Sequence, residues 1–247
     1  MTNVLGIDIG GTGIKAAVVD TEKGVLVSDR HRLKTPHDAT PEAVAEIGGE
    51  LVKHFDWSGP VGVGFPGVIH DGVVKTAANL GKKWIDVDAN KLFTQVCGCD
   101  VSLINDADAA GLAEVQFGAG AGMNGTVILL TLGTGIGSAV FTNGHLVANT
   151  EFGHLVLDGK IAEDRASSRA KEKKDLSFKK WGGEVEDVLQ EIEKLFWPKL
   201  FILGGGISKE FDKFSEFLDK VRTPIVPASM LNQAGIVGAA VGCGRSK

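Results

Sequence analysis

Apolar positions in this chain fall into short continuous runs, separated by glycine-rich turns and by stretches of helical spacing. The runs at residues 4–9, 60–65, 101–104, 126–132 and 200–203 have the length and composition of buried strands. Apolar residues recur at helical spacing over residues 41–55 and 178–196, and small residues dominate 232–243. Strands that alternate with helices in this way predict an α/β fold.

The second half of the sequence repeats the opening of the first half. Residues 4–20 predict a strand, a glycine-rich turn and a second strand, followed by a third strand over 25–33. Residues 126–141 predict the same succession around the turn at 133–137. We therefore predict duplicated α/β domains that face one cleft, the smaller at 1–108 and the larger at 109–247. The closing helix is expected to pack back on the first domain.

Two polar residues stand where the strand at 101–104 gives way to an alanine-rich helix. Asn105 and Asp106 occupy this junction, the kind of sheet edge at which α/β proteins place ligands. A carboxylate there can accept the proton of a bound hydroxyl group, as a phosphoryl-transfer enzyme requires of the residue that aims its nucleophile. The alternative is that Asp106 only caps the helix, since Asn and Asp are preferred N-cap residues.

The glycine-rich turn DIGGTG at residues 8–13 lies between two strands. Walker and Rossmann motifs place a helix after the turn, so neither applies. Small residues still let backbone N–H groups point at a phosphate. Asp8 would repel that phosphate unless a cation lay between them, which suggests a magnesium-bound phosphate. The alternative is an ordinary hairpin.

A third glycine-rich turn, at residues 204–208, precedes a predicted helix. Its glycines would let the backbone approach a flat ring closely, or they could simply allow tight packing.

Composition and charge exclude several classes of function. The net charge of −5 argues against a general nucleic-acid binder. No apolar run reaches the roughly 18 residues that span a membrane, and the sequence opens without a signal segment. The three cysteines, Cys97, Cys99 and Cys243, form neither a disulfide framework nor a metal clip. We expect reduced thiols and a cytoplasmic protein, with no membrane or nucleic-acid partner.

Residues 160–180 form a basic island in this acidic chain. They hold eight Lys or Arg against four Asp or Glu. Such a run is usually a solvated face, but it could also attract a polyanion.

Five motifs in order give the chain a resemblance to the ROK family of sugar kinases. DIGGTG at 8–13 resembles the family's first phosphate motif, LGTGIG at 132–137 its second, and LGGGIS at 203–208 its adenosine motif. Asn105 and Asp106 match the sugar-binding Asn and the catalytic Asp, and EFGH at 151–154 matches the sugar-binding Glu and His. The resemblance implies duplicated actin/hexokinase-like (ribonuclease H-like) ATPase domains flanking a cleft, and a homodimer.

The same resemblance implies a set of site residues. Asp106 is the expected catalytic base, and the sugar is expected to contact Gly67, Asn79, Asn105, Asp106, Glu151, His154 and Glu163. The phosphate donor is expected to contact Asp8, Gly10, Gly11, Thr12, Gly13, Lys15, Thr131, Gly133, Thr134, Gly135, Gly204, Gly205 and Gly206. Mg²⁺ is the expected cofactor, positioned by Asp8.

One departure from the family pattern is informative. Most relatives follow the EFGH-type motif with cysteines that bind zinc together with its histidine, whereas residues 155–181 contain no cysteine. We therefore predict no zinc at His154. A zinc-free chain of this pattern, with Trp197 and Pro198 in a matching motif, resembles the branch that transfers phosphate from inorganic polyphosphate, and often ATP, to the 6-hydroxyl of glucose. We then expect Arg169, Lys171, Lys173 and Lys174 to steer polyphosphate.

Three alternatives to a polyphosphate-dependent kinase were weighed. The retained LGGGIS turn also permits an ATP-only hexose or aminosugar kinase. Sugar-responsive repressors of the family need a DNA-binding segment, and none is expected ahead of the first phosphate motif. A non-catalytic sugar binder is disfavoured because Asp106 is present.

Overall fold

A computed structural model describes residues 3–77 and 80–243. They form two compact units: the first comprises the described residues up to Ala113 together with those from Gln233 onward, and the second comprises Glu114–Asn232. The division at residue 108 that we drew from the sequence stays a prediction. In the described residues, no helix combines the length and the apolar character that a bilayer crossing requires.

The first unit is built on a sheet with helices. Its strands are β1 (Asn3–Ile9), β2 (Ile14–Asp20), β3 (Val25–Leu26), β4 (His31–Leu33), β5 (Val61–Phe65), β6 (Ile69–His70), β7 (Val73–Val74) and β8 (Val101–Asn105). Its helices are α1 (Pro41–His54), α2 (Ala89–Cys97) and the start of α3 (Asp106–Phe117), and residues 82–84 form a 3₁₀ turn. The sheet order is β3-β2-β1-β5-β8, and β4 also pairs with β2.

The second unit has a sheet of its own. Its strands are β9 (Thr126–Leu132), β10 (Ile136–Thr142), β11 (His145–Val147), β12 (Val156–Leu157), β13 (Lys160–Ile161), β14 (Leu200–Gly204) and β15 (Ile225–Pro227). Its helices are α4 (Glu163–Ala166), α5 (Ser168–Lys173) and α6 (Phe178–Phe196), and the chain returns to the first unit as α7 (Ala234–Gly242). Short 3₁₀ helices cover Phe152–His154, Gly206–Lys213, Ser215–Phe217 and Leu231–Gln233.

The two main sheets share one pattern of pairing. In the first, β1 and β2 form an antiparallel hairpin, and β5 and then β8 add in parallel beside β1. In the second, β9 and β10 form the hairpin, and β14 and then β15 add in parallel beside β9. Each hairpin turn is one of the predicted phosphate motifs, so the glycine turns occupy equivalent places in two similar sheets.

Helix α7 packs against β1 and β5 with its backbone very close to the strands. A Cβ atom on Gly6 would lie 2.1 Å from the Ile236 carbonyl oxygen, and one on Gly62 would lie 1.9 Å from that of Ala239. Only glycine fits at both strand positions, and the small residues of α7 serve the same close approach.

Three sequence predictions of secondary structure needed correction. The strand expected over 25–33 is two short strands, because the Ser28 hydroxyl accepts from the Val18 amide (2.9 Å) at the bend between them. The helix expected after the third glycine turn is a 3₁₀ helix. The apolar face predicted over 178–196 is buried along a shorter part of α6 than expected. Ile192 is buried, whereas Leu195 and Phe196 are 62% and 42% exposed, because the last helical turn extends beyond the buried apolar cluster.

Candidate active site

Asn105 is fixed at the junction between β8 and α3. Its side chain is 6% exposed, and its Nδ2 donates to the Gly67 carbonyl oxygen at 3.1 Å. Its Oδ1 accepts from the amides of Ala107 (2.9 Å) and Asp108 (3.0 Å). Asn105 therefore caps the helix and joins it to the Gly67 segment. Glycine is required at 67, because a Cβ atom would lie 2.0 Å from the Thr76 carbonyl oxygen.

Asp106 is the first residue of α3 and is partly buried. Its Oδ1 accepts from the Ala107 amide at 2.8 Å. The capping role that we weighed for Asp106 is thus filled chiefly by Asn105, which binds two amides of the first turn. The Asp106 side chain stands in the first turn of α3, where acidic residues favour the helix.

The first glycine turn is closed and braced by its neighbours. The Gly10 amide donates to the Gly13 carbonyl oxygen (3.2 Å), and the Thr35 hydroxyl donates to the Gly10 carbonyl oxygen. The Arg32 guanidinium donates to the Thr12 carbonyl oxygen at 2.9 Å. Gly11 and Thr12 at the tip are exposed, so the turn presents its backbone to solvent while its base is held.

Asp8 and Lys15 face each other across the strands that flank this turn. They are register partners, and the Lys15 Nζ lies 3.3 Å from the Asp8 Oδ2. The structure therefore places a carboxylate and an ammonium group together at the base of the first phosphate motif.

The second and third glycine turns follow neighbouring parallel strands. Gly204 at the end of β14 is the register partner of Thr131 on β9. The Gly133 amide donates to the Gly135 carbonyl oxygen (3.0 Å). Gly205 has a φ of +87°, and a Cβ atom there would lie 2.6 Å from the Leu132 carbonyl oxygen. The predicted donor residues of this unit thus converge at one sheet edge, where α/β proteins bind ligands.

The segment containing Glu151 and His154 is held tightly against β10. The Ser138 hydroxyl accepts from the Phe152 amide (3.0 Å) and donates to the Thr150 carbonyl oxygen (2.7 Å). A Cβ atom on Gly153 would lie 2.3 Å from the Ile136 carbonyl oxygen. The glycine of the EFGH motif is therefore a packing requirement that sets where its polar neighbours stand.

Glu151, His154 and Glu163 form a charged group within the second unit. Burial raises the pKa of Glu151 above its ordinary value; His154 opposes this shift, and the negative charge of Glu163 adds to it. Glu163 also meets the second glycine turn, because a Cβ atom on Gly135 would lie 2.5 Å from the Glu163 Oε2. A predicted sugar residue and a predicted donor turn are thereby in contact.

The predicted site residues fall in both units. Asp8, the first glycine turn, Lys15, Gly67, Asn105 and Asp106 belong to the first unit, and the remaining described ones belong to the second. Asn79, a predicted sugar ligand, lies outside the described residues. In the described residues, no group of three or more His, Cys, Asp or Glu side chains could hold a metal ion. The zinc-free expectation at His154 stays a prediction.

Sequence reasoning missed residues that brace the glycine turns. Arg32 and Thr35 bind the first turn, and the Ser168 hydroxyl donates to the Leu132 carbonyl oxygen (2.7 Å) beside the second. These residues lie some 20 to 36 positions from the groups they contact. No local pattern marks them, because the contacts arise only when β4 and α5 fold back.

The fold and these motifs together define a mixed α/β kinase of the ROK class. The chain belongs to the ROK family, whose pattern matches residues 4–173. It is 54% identical to the polyphosphate glucokinase of Mycobacterium tuberculosis over 96% of this chain and 89% of that protein.

Two solved structures show the same relationship. The crystal structure of the inorganic polyphosphate/ATP-glucomannokinase of Arthrobacter sp. strain KM matches with a TM-score of 0.91 at 50% identity, over 98% of each chain. A ROK family glucokinase from Streptomyces griseus, in complex with glucose and AMPPNP, matches with a TM-score of 0.84 at 26% identity. That match covers 98% of this chain and 99% of the other.

Proposed function

We propose that this chain transfers a phosphoryl group from inorganic polyphosphate, and also from ATP, to the 6-hydroxyl of glucose. The observation that carries the proposal is the 54% identity to a polyphosphate glucokinase across nearly the whole chain. The sugar-kinase motifs on which the chemistry depends are all retained, including Asn105 and Asp106 at the start of α3.

Asp106 is the residue we assign as general base. Its carboxylate accepts the proton of the 6-hydroxyl while that oxygen forms a bond to the terminal phosphorus and the bond to the rest of the donor breaks. Asn105, held at both ends of its amide, keeps the first turn of α3 in place. The shortened polyphosphate, or ADP, leaves with the electron pair of the broken bond.

The sugar hydroxyls are assigned to six residues, namely Gly67, Asn79, Asn105, Glu151, His154 and Glu163. A site that hydrogen-bonds each hydroxyl rejects sugars that lack one, because a buried partner is then left unpaired. The raised pKa of Glu151 indicates a carboxylate already shielded from water, which strengthens such a bond.

The donor is assigned to the three glycine turns. Backbone N–H groups of the turns at 10–13 and 133–135 stabilise charge on the transferred phosphoryl group. The turn at 204–206 is assigned to the adenine ring of ATP, because glycine permits close approach of the backbone. Asp8 fits a magnesium role, because Mg²⁺ is commonly held by one or two carboxylates plus substrate phosphates. The Asp8 carboxylate is partly exposed, and its ion-pair partner is Lys15. Magnesium, when bound, would offset the negative charge of the donor phosphates.

The proposal also covers the domain architecture, the oligomeric state and the cellular location. The matched pairing order of the two sheets supports duplicated actin/hexokinase-like domains. Family membership supports a homodimer, and the sequence composition supports a cytoplasmic location. The second candidate function is an ATP-dependent hexokinase that does not use polyphosphate, which the retained turn at 204–206 favours.

A single set of assays separates these functions. Purified protein is supplied with glucose and either polyphosphate or ATP, and glucose 6-phosphate is measured; mannose replaces glucose in a parallel arm. We expect product with both donors. Product with ATP alone would establish the second candidate instead. Asp106→Asn preserves the oxygen that accepts from Ala107 and should lower kcat by at least ~10²-fold while glucose still binds; an undiminished kcat would remove Asp106 from its assigned role.

A further inference from the structure

A pocket of about 600 Å³ opens beside the second glycine turn. Thr134 and Glu163 line it on the side of the turn, and the other lining residues are Lys160, Asp164, Ser167, Arg169, Ala170, Lys173 and Lys174. Its volume is that of an ordinary small-molecule site. All of these residues belong to the second unit.

The wall that carries the cations is fastened to the glycine turn. The Ser168 hydroxyl donates to the Leu132 carbonyl oxygen (2.7 Å), and the Arg169 amide donates to the Gly133 carbonyl oxygen (3.2 Å). Both bonds come from the beginning of α5, so they fix the position of this helix relative to the turn. Arg169 and Lys173 are four residues apart on α5 and therefore share its pocket face.

The cations that line the pocket outnumber the carboxylates that line it. Four cations line it against the two carboxylates of Glu163 and Asp164. Among the ion pairs of the described residues, none involves Lys160, Arg169 or Lys173. The Lys174 ammonium group donates to the backbone oxygen of Asp164 rather than to its carboxylate. Cations held this close repel one another, and a bound polyanion would relieve that repulsion.

Other members of the basic island have different roles. Arg165 is 11% exposed and is paired with Glu184, Asp187 and Asp158. Lys171 lies over the Phe178 ring, 4.3 Å from its centroid. Of the four residues expected to steer polyphosphate, the structure thus puts Arg169, Lys173 and Lys174 at the pocket and Lys171 elsewhere, and it adds Lys160.

We infer that this pocket is a subsite for the phosphates of a polyphosphate chain behind the one that is transferred. The inference rests on the proposed function and deepens it. Each internal unit of polyphosphate carries negative charge, so a chain that leaves the turn at 133–135 meets a matching row of cations. ATP carries a nucleoside where polyphosphate continues as phosphate, so the pocket favours the inorganic donor specifically.

The test compares two double variants that remove the same charge from the same island. Arg169→Ala with Lys173→Ala removes two pocket cations and keeps the backbone bonds of α5. Lys179→Ala with Lys180→Ala removes two exposed cations that do not line the pocket. Steady-state kinetics are measured for each with long-chain polyphosphate and with ATP at saturating glucose, over a series of salt concentrations. The KM for glucose is measured separately at saturating donor.

We expect the pocket variant to raise the KM for polyphosphate about tenfold, with the KM for ATP and the KM for glucose within twofold of wild type. The slope of log KM for polyphosphate against log salt should fall by about 1.4–1.8, because each of the two lost phosphate contacts contributes about 0.7–0.9. The Lys179/Lys180 variant should match wild type in both measurements.

Each contrary outcome has a distinct meaning. If the wild-type protein makes no product from polyphosphate, the proposed function and the subsite both fail. If wild type uses polyphosphate and the pocket variant leaves its KM unchanged, the subsite alone fails. Equal KM increases in the two double variants would show long-range attraction by the island as a whole and would also overturn the subsite.

Discussion

The glycine of the EFGH motif offers a sharp test of how packing sets the sugar site. Gly153→Ala places a Cβ atom 2.3 Å from the Ile136 carbonyl oxygen, whereas ordinary contacts begin near 3.4 Å. The segment must therefore move away from β10 by about 1 Å, and Glu151 and His154 move with it. A displacement of ~1 Å at a reacting geometry costs about 10²-fold in rate. This corresponds to about 2.7 kcal/mol of transition-state stabilisation.

The assay is glucose 6-phosphate formation, read as kcat/KM for glucose and accompanied by a thermal melt. We expect a loss of about 10²-fold together with a destabilisation of about 1–3 kcal/mol, the usual cost of overpacking. Gly183→Ala is the matched control, because a Cβ atom there meets nothing within 4 Å. In the interior of α6 it should leave kcat/KM unchanged and raise stability by up to ~1 kcal/mol.

The result that refutes this reasoning is a folded Gly153→Ala protein whose kcat/KM stays within twofold of wild type. It would mean that the segment accommodates the methyl group without moving Glu151 and His154, or that neither residue contributes to sugar binding.

Three further predictions concern titratable groups. Because burial raises the pKa of Glu151, its carboxylate is protonated at a higher pH than that of an ordinary Glu. The KM for glucose should therefore begin to rise at that higher pH as the solution is acidified. Glu151→Gln should lack this acidic rise, and a flat wild-type profile contradicts the assignment. At Glu193, burial raises the pKa, but hydrogen bonds from Thr223 and Arg222 outweigh it and leave the pKa below 4.5. Its stabilising contribution is therefore complete above the unfolded-state value and is lost as pH falls through the folded-state pKa. Glu193→Gln should reduce the loss of urea stability between about pH 5 and about pH 3; an equal loss in both proteins argues against it. Burial, with a smaller effect of Cys99, raises the pKa of Cys97 to about 12, so iodoacetamide at pH 8 should alkylate it at least ~10²-fold more slowly in the native than in the unfolded protein. Equal labelling rates would contradict a buried thiol.

Periodicity and turn chemistry predicted much of the secondary structure. Thr40 accepts from the Ala43 amide and caps α1, and α6 ends at Phe196, two residues before Pro198. These features depend on neighbours within a few residues, which is why the sequence reveals them. The exposure of Leu195 and Phe196 could not be predicted, because it depends on how far the buried apolar cluster against α6 extends.

The candidate site likewise combines features that the local sequence predicts with features that depend on tertiary folding. The glycine turns and the Asn105–Asp106 junction were predicted because each is a contiguous motif. The cap that Asn105 provides depends on local amides, but its bond to Gly67 joins residues 38 positions apart. The bracing of Gly10 and Thr12 by Thr35 and Arg32, and the place of Lys160 at the basic pocket, likewise follow from tertiary folding alone.

The close packing of α7 against β1 and β5 affects the order in which the two units can fold during synthesis. Gly6 meets Ile236, so a contact that completes the first unit spans almost the entire chain. During synthesis, Glu114–Asn232 leaves the ribosome before α7 does. Domains usually fold in the order in which they emerge, whereas here the unit that is begun first is finished last. The strands that carry Gly6 and Gly62 can pack against α7 only after α7 has been synthesised. Contacts between residues so far apart in the sequence slow folding.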